Sequence, residues 1–247
     1  MKQSRMFPVA VLALVLSWAS GATAQSTSND GAIQTVVEHK LDDKDIRNGE
    51  GPWVAVENGN VTLKGKVKSV WAKNEAVQRA MEVDDVVAVE DELEIALGES
   101  DEKVAEEIAK RVRSYPFYTV YDDVNLAVNE GHVVLEGRVT MPFKSEEIEE
   151  RASKVLGVQS VQNNIQDLPT NIHDIRLRAS LTRRIYGDPL FREYAFRSQP
   201  PIHIVVERGR VVLTGAVRSN VEKVMAGTIA RSTFGVFKVE NLLKVAS

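Results

Sequence analysis

Hydrophobic and polar residues alternate in three short stretches of the chain, and each stretch is interrupted by a central glycine. The stretches are VAVENGNVTLKGKV at residues 54–67, LAVNEGHVVLEGRV at 126–139 and VVERGRVVLTGAV at 205–217. Alternation with a period of two is typical of strands that bury one face, and a central glycine permits the positive φ of a tight turn. Each stretch therefore predicts a β-hairpin.

Two glycines, six residues apart, recur in every hairpin, and in chain order they are Gly59 and Gly65, Gly131 and Gly137, Gly209 and Gly215. The first glycine of each pair is predicted to occupy the turn itself. The second lies within or at the end of the second strand, where a glycine indicates a bulge or a close backbone approach. We interpret the second glycine as making room for the helix that follows.

Apolar residues spaced three and four apart flank each hairpin and predict one helix before it and one after it. Those of the leading helices are Ile33, Val36, Val37 and Leu41, then Val104, Ile108 and Val112, then Leu177, Leu181 and Ile185. Ser100 is the predicted N-cap of the second leading helix. A short apolar strand follows each trailing helix.

The order helix–strand–strand–helix–strand therefore occurs three times, with matching glycines 72 and then 78 residues apart. Repetition on this scale indicates one folding unit copied in tandem. We predict an α+β protein of three tandem small α-β-β-α-β domains, each a three-stranded mixed sheet with two helices on one face and a right-handed crossover. The predicted ranges are residues 31–97 for domain 1, 99–168 for domain 2 and 170–247 for domain 3.

The N-terminus has the pattern of a secretory signal peptide. Lys2 and Arg5 precede an apolar stretch at residues 7–16, and Ala22-Thr23-Ala24 provides a small-x-small cleavage site. We expect residues 1–24 to be removed after Ala24 and residues 25–30 to form a linker. The expected location is the periplasm.

Composition narrows the function further. The chain contains no cysteine, which excludes disulfides, thiolate metal sites and cysteine nucleophiles. Domains 1 and 2 each carry 8 basic and 14 acidic residues, a net charge of −6, whereas domain 3 carries 13 and 6, a net charge of +7. The overall charge of −4 hides this asymmetry, which favours an anionic partner for domain 3.

The recurring motif is G-x-V-x-L-x-G-x-V, followed by a helix and a strand of the form V-x-x-V-x-N/D. The first copy fills it with Gly59, Val61, Leu63, Gly65, Val67, Val86, Val89 and Asp91. The motif resembles the BON domain, and with the signal peptide the chain resembles osmotically inducible, OsmY-type periplasmic proteins. Such proteins commonly have two domains, so a third copy is a departure. The resemblance implies phospholipid association or a supportive role under osmotic or folding stress, without catalysis.

No catalytic or ligand motif interrupts this pattern. The four histidines, His39, His132, His173 and His203, occupy unrelated positions in the repeats, and His132 falls at a solvated turn. Acidic runs such as residues 146–150 lack the ligand spacing and the central glycine of a calcium loop. We therefore expect no catalytic residues, no cofactor and no metal.

Domain 3 has a longer loop before its hairpin, YGDPLFREYAFRSQPP at residues 186–201. Aromatic and basic residues alternate in it, a mixture that anionic bilayer interfaces select. The predicted lipid-binding residues are Arg183, Arg184, Phe191, Arg192, Tyr194, Phe196 and Arg197. Alternatively, the rings pack onto their own sheet, or domain 3 docks onto the acidic domains within one chain or between chains. Trp71, Phe143 and Val221 form a second candidate surface, for which a hydrophobic staple is the other interpretation.

Two functions remain in competition at this point. The first is a non-enzymatic periplasmic protein that binds anionic phospholipid at the cell envelope, with domain 3 as the main contact. The second is a stress chaperone or protein-interaction module for unfolded or envelope proteins, which would use exposed strand edges or apolar patches. A nucleic-acid partner suits the basic domain but is not expected for an exported protein.

Overall fold

A computed structural model describes residues 26–246 of the chain, so the predicted signal peptide and its cleavage after Ala24 lie outside the described residues. The described residues contain three successive sheets, each packed against helices on one face. The predicted α+β class and the threefold repeat are confirmed. None of the helices in residues 26–246 combines the length and the apolar character that a membrane crossing requires.

Domain 1 consists of α1 (Ser26–Lys40), β1 (Trp53–Glu57), β2 (Asn60–Val67), α2 (Val70–Met81) and β3 (Ala88–Ile95). Strand β1 is antiparallel to β2, and β3 is parallel to β2, so the sheet is mixed as predicted. The predicted linker at residues 25–30 is helical from Ser26 onwards, and Asp30 of this helix bonds to the hairpin turn of the same domain.

Domain 2 repeats this order with α3 (Asp101–Arg113), β4 (Asp123–Asn129), β5 (His132–Val139), α4 (Pro142–Ser153) and β6 (Ser160–Asp167). Domain 3 consists of α5 (Ile172–Tyr186), a 3-10 turn (Pro189–Phe191), α6 (Arg192–Ala195), β7 (Ile202–Glu207), β8 (Arg210–Val217), α7 (Asn220–Arg231), β9 (Lys238–Asn241) and β10 (Lys244–Val245). The additional turns of domain 3 lie in its long loop, and β9 and β10 share the position of one strand beside β8.

The three cores are built from equivalent residues. Leu63, Leu135 and Leu213 on the second strands are fully buried, and each packs against apolar residues of its two helices. The alternate residues of these strands, such as Thr62 and Val134, point to the opposite face and are partly exposed. One face of each sheet is therefore core, and the other is available for contacts.

The first glycine of each hairpin lies in the turn as predicted, with φ of 76° at Gly59, 75° at Gly131 and 73° at Gly209. The interpretation of the second glycine is wrong. A Cβ on Gly137 would clash with the carbonyl oxygen of Asp123, and a Cβ on Gly215 would clash with that of Pro201. The second glycine therefore makes room for the chain that enters the first strand, and not for the following helix.

An aspartate in the leading helix holds each hairpin turn, and the sequence patterns did not reveal it. The carboxylate of Asp174 accepts the backbone N–H groups of Arg208 (2.7 Å) and Gly209 (2.9 Å). Asp30 and Asp101 make the same pair of bonds in domains 1 and 2. Since charge-assisted bonds of this kind are stronger than neutral ones, they fix the helix against the turn.

A serine caps the N-terminus of the trailing helix in domains 1 and 3 but not in domain 2. The hydroxyl of Ser69 accepts the N–H of Ala72, and Ser219 caps α7 through Glu222 in the same way. The predicted cap Ser100 is confirmed at α3. In α4 the cap position is Met141, which makes no side-chain cap bond and is 51% exposed.

Replacing Met141 with serine is therefore expected to stabilise the protein. The hydroxyl of the introduced serine would accept the Lys144 N–H as Ser69 accepts that of Ala72, and an N-cap of this kind contributes about 1 kcal/mol. The free energy of unfolding, measured in urea, should rise by about this amount, and the reverse change Ser69→Met should lower it. A stability that is unchanged or reduced in Met141→Ser would contradict the geometry described for α4.

Domains 1 and 2 are joined by backbone bonds. The Val70 N–H donates to the Val158 carbonyl, and the Gly157 N–H donates to the Lys68 carbonyl, both at 2.9 Å. The Lys154 ammonium lies 4.2 Å from the centre of the Trp71 ring. We call residues 154–159 the docking loop of domain 2 and residues 68–71 the acceptor segment of domain 1.

Domains 2 and 3 meet through different residues. The Ile204 N–H of the β7 edge donates to the Val120 carbonyl (2.6 Å), and His203 Nδ1 lies 2.5 Å from the carbonyl oxygen of Asp122. Thr182 Oγ1 of α5 lies 3.2 Å from the Tyr121 hydroxyl. The contact buries an edge strand of domain 3, but it leaves a docking loop and an acceptor segment unused.

Candidate functional site

The structure places the predicted lipid-binding residues in three different environments. Phe191 and Tyr194 are fully buried in the domain 3 core, where they pack with residues of the sheet. The assignment of these two residues to lipid contact is wrong, because a ring inside the core cannot enter a bilayer while the domain stays folded. The alternative that the rings pack onto their own sheet is correct for this pair.

Polar contacts hold this loop in place. The Tyr194 hydroxyl donates to the Glu222 carboxylate (2.6 Å), which also accepts the Arg218 N–H (2.8 Å) and the Arg218 guanidinium. Burial disfavours the charge of Glu222, but the hydrogen bonds from Tyr194 and Arg218 outweigh it and lower the pKa of this carboxyl. The loop therefore stabilises the fold around the start of α7.

Five of the predicted residues remain exposed near this loop or on the last turn of α5, namely Arg183, Arg184, Arg192, Phe196 and Arg197. Phe196 is 85% exposed, and the Arg197 guanidinium lies 5.0 Å from the centre of the Tyr194 ring. Their part in lipid contact stays a prediction.

Arg184 belongs to a different surface. Its guanidinium donates to the Ser232 carbonyl (3.2 Å) and hydroxyl (3.0 Å), just after the C-terminal end of α7. The Tyr194–Glu222 contact lies at the N-terminal end of the same helix. A 12-residue helix is about 18 Å long, so Arg184 and Phe196 are not parts of one compact site.

The 232–237 loop beside Arg184 is the most exposed apolar feature of the described chain. Phe234 is 100% exposed and Phe237 is 80% exposed. Thr233 between Ser232 and Phe234 is buried, and Gly235 has a φ of 91°, so the loop is anchored while both rings point outward. Two rings held in water by a folded loop favour a contact surface.

Basic side chains surround these rings. Arg176 of α5 and Arg208 of the hairpin turn line the same surface depression as Phe234 and Phe237. Asp174 lies nearby, but its carboxylate is buried and bonded to the hairpin turn. The surface therefore presents two aromatic rings among guanidinium groups.

The outer face of α7, which leads into this loop, is apolar as well. Val221, Val224 and Met225 are exposed there. At the position of Val224 the other domains carry Asn74 and Glu146, which are polar. Domain 3 therefore carries an apolar residue on the outer face of α7 where its two copies are polar.

The sequence patterns missed Phe234 and Phe237, although a comparison of the repeats contains the signal. Domain 1 has Asp84 at the position of Phe234, and domain 2 has Leu156. Among the three copies, only domain 3 places an aromatic residue there. A single copy read alone hides this substitution within an apolar stretch.

A cleft of about 860 Å³ between domains 2 and 3 is the other candidate. It is lined by Tyr118 and His203, whose rings are 5.5 Å apart, and by Arg113 and Lys244. The polar groups are engaged in structure, since the Tyr118 hydroxyl accepts the Val124 N–H and His203 contacts Asp122. Burial raises the pKa of Tyr118. Within residues 26–246, no three metal-binding side chains converge.

The fold and this surface define a class of architecture, a tandem array of small α-β-β-α-β domains whose basic last copy exposes aromatic rings. A family model, described as BON domain, matches residues 29–96, 100–166 and 177–247. The chain therefore belongs to the BON domain family, as its motifs indicated. BON domains are associated with phospholipid and membrane binding in stress-related proteins and are in general non-catalytic.

Other comparisons add little to this assignment. No curated protein matches the chain. Among solved structures, the C-terminal domain of CdsD, a structural protein of the type III secretion system of Chlamydia trachomatis, is similar at 14% identity over 92% of this chain and 100% of that chain, with a TM-score of 0.25. A second structure of CdsD from Chlamydia trachomatis is similar at 15% identity over 89% of this chain and 93% of that chain, with a TM-score of 0.25. TM-scores this low carry no argument about function.

Proposed function

We propose that this chain is a periplasmic, non-enzymatic protein that associates peripherally with anionic phospholipid under osmotic or envelope stress, with domain 3 as the main contact. The observation that carries the proposal is the pair of exposed rings, Phe234 and Phe237, set among Arg176, Arg184 and Arg208. The family supports membrane association in general, and the charge of +7 supports domain 3 as the contact.

The expected binding free energies support a contact in which charge attraction and insertion of the rings act together. Three arginines at an anionic surface contribute about 1 kcal/mol each. Two phenylalanine rings that leave water contribute about 1.5–3 kcal/mol each. The sum of about 6–9 kcal/mol corresponds to a dissociation constant in the micromolar range, whereas the arginines alone would give binding weaker than millimolar.

The remaining sequence-predicted residues are assigned a secondary role. Arg192, Phe196 and Arg197 are exposed at the other end of α7, and Arg183 lies on the last turns of α5. A bilayer that lies along the apolar outer face of α7 would reach both ends of the helix. We therefore assign insertion to the 232–237 loop and additional electrostatic attraction to these arginines.

Vesicle sedimentation tests this function directly. The chain of residues 25–247 should sediment with vesicles that contain phosphatidylglycerol and should remain in solution with purely zwitterionic vesicles. Added salt should weaken the binding, because exposed charges are screened. Equal sedimentation with both kinds of vesicle, or none with either, would refute an anionic phospholipid function.

A further inference from the structure

Each half of the joint between domains 1 and 2 has an equivalent in a later domain that does not make this contact. In that joint the docking loop of domain 2, residues 154–159, bonds to the acceptor segment of domain 1, residues 68–71. The equivalent loop of domain 3 is residues 232–237, and the equivalent segment of domain 2 is residues 140–143. These two do not meet within one chain, because domains 2 and 3 pack through the β7 edge instead.

The free acceptor segment of domain 2 carries exposed apolar side chains. Met141 is 51% exposed and Phe143 is 50% exposed, and the Phe143 ring packs edge-to-face on the exposed Phe117 at 6.1 Å. In domain 1 the equivalent of Phe143 is Trp71, which is partly covered by Lys154 of the docking loop. Phe143 therefore occupies a position that the first joint covers and that is open here.

Met141 adds a second, independent observation. Domains 1 and 3 have a capping serine at this position, and α4 lacks the side-chain cap bond that those serines make. A methionine here lowers the stability of the helix and places an apolar chain in water. A residue that costs stability and is exposed is expected where it makes contact with another molecule.

The free loop of domain 3 matches this segment in chemistry and in charge. Phe234 and Phe237 stand at the positions that Leu156 and Gln159 occupy in the docking loop. In the described part of the chain, the Gly235 N–H has no hydrogen-bond partner, whereas its equivalent at Gly157 bonds to the acceptor segment. Domain 3 carries a net charge of +7 and domain 2 a net charge of −6, so the two attract each other.

We propose that the 232–237 loop of one chain docks on residues 140–143 of a second copy of the same chain. The contact repeats the domain 1–2 joint between molecules. The Gly235 N–H takes the place of Gly157, and the two phenylalanines cover Met141 and Phe143. Pro142 has no N–H, so the second backbone bond of the first joint is replaced by apolar contact.

This self-association competes with binding to a membrane. The same rings cannot be buried in a second copy and in a bilayer at the same time. Copies in solution therefore shield the 232–237 loop, and an anionic surface competes for it. The proposal does not rest on lipid binding, because it is defined by an acceptor segment in domain 2 that the membrane contact does not use.

Sedimentation-velocity ultracentrifugation of residues 25–247 over a range of concentrations tests the proposal. The unchanged chain should self-associate reversibly, and Phe143→Ser should weaken this by about tenfold or more in dissociation constant, as expected for a buried aromatic contact. Met141→Ser should also weaken it while raising stability, which separates loss of docking from loss of folding. Met81→Ser, which changes an exposed methionine of domain 1, is the matched control.

The variants also separate this proposal from the lipid function. Phe143→Ser should weaken self-association but retain vesicle binding, whereas Phe234→Asp should weaken both. A chain that stays monomeric at all concentrations, or one whose association is unaffected by Phe143→Ser and Met141→Ser, would overturn the proposed contact. Loss of vesicle binding in Phe143→Ser would show instead that domain 2 contacts the membrane, which also contradicts it.

Discussion

Replacing Phe234 with aspartate is expected to reduce binding to anionic vesicles by about 10- to 100-fold, since one inserted ring contributes about 1.5–3 kcal/mol. Aspartate is the residue that domain 1 carries at this position, as Asp84, so the loop conformation should be retained. Because the Phe234 side chain is fully exposed, the unfolding midpoint should be unchanged. The measurement is a binding isotherm from vesicle sedimentation, with phosphatidylglycerol content held constant.

The matched control for this change is Phe196→Asp. Phe196 is 85% exposed in the same domain and lies at the other end of α7, where the sequence alone predicted the lipid contact. We expect Phe196→Asp to weaken binding to anionic vesicles much less than Phe234→Asp does. If Phe196→Asp abolishes binding while Phe234→Asp leaves it intact, the assignment of the 232–237 loop as the contact is incorrect.

The largest expected effect on stability is that of Lys144→Met. The Lys144 ammonium lies 2.6 Å from the Asp122 carboxylate, and both side chains are almost completely buried. Asp122 also accepts N–H and hydroxyl bonds from Thr119 and Thr140. Removing the cation leaves a buried charge without its counter-ion, which typically costs about 3–5 kcal/mol.

Two further variants separate the ion pair from other effects of the substitution. The double variant Asp122→Asn with Lys144→Met removes both charges and should recover part of the loss. Lys110→Met removes a largely exposed cation from α3 and should change the urea midpoint little. A Lys144→Met protein as stable as the unchanged chain, or no recovery in the double variant, would contradict the assigned role of the pair.

The residue at the position of Lys144 differs among the three domains. The equivalent residue is Ala72 in domain 1 and Glu222 in domain 3, and all three are buried at the start of the trailing helix. Alanine packs against the core, lysine binds Asp122 of the segment that contacts domain 3, and glutamate binds Tyr194 of the long loop. The scaffold tolerates lysine and glutamate at this buried position because a local partner satisfies each charged group.

The repeat, the sheet and the helices could be predicted because local patterns determine them. Alternation around Gly59, Gly131 and Gly209 defined the hairpins, and spacings of three and four defined the helices. The role of Gly137 could not be predicted, because the group it avoids, the carbonyl oxygen of Asp123, is distant in sequence. The Asp174 bonds to the hairpin turn were missed for the same reason.

Only the basic charge of the candidate site could be predicted from the sequence. The excess of arginine identified domain 3, but composition cannot show which of several aromatic residues a core takes up. Phe191 and Tyr194 fill the space beside the sheet that the long loop has to close, whereas Phe234 follows a helix end at which every copy reverses the chain. Exposure of this kind depends on packing between distant segments.

The central claim is that the ring at position 234 enters a bilayer, and tryptophan fluorescence measures this most directly. Phe234→Trp is made in residues 25–247 with Trp53 and Trp71 replaced by phenylalanine, so that one indole reports the position. With anionic vesicles that carry brominated acyl chains, the emission should shift to shorter wavelength and be strongly quenched, and zwitterionic vesicles should change it little. Emission that stays water-like and unquenched while the protein sediments with anionic vesicles would contradict the claim.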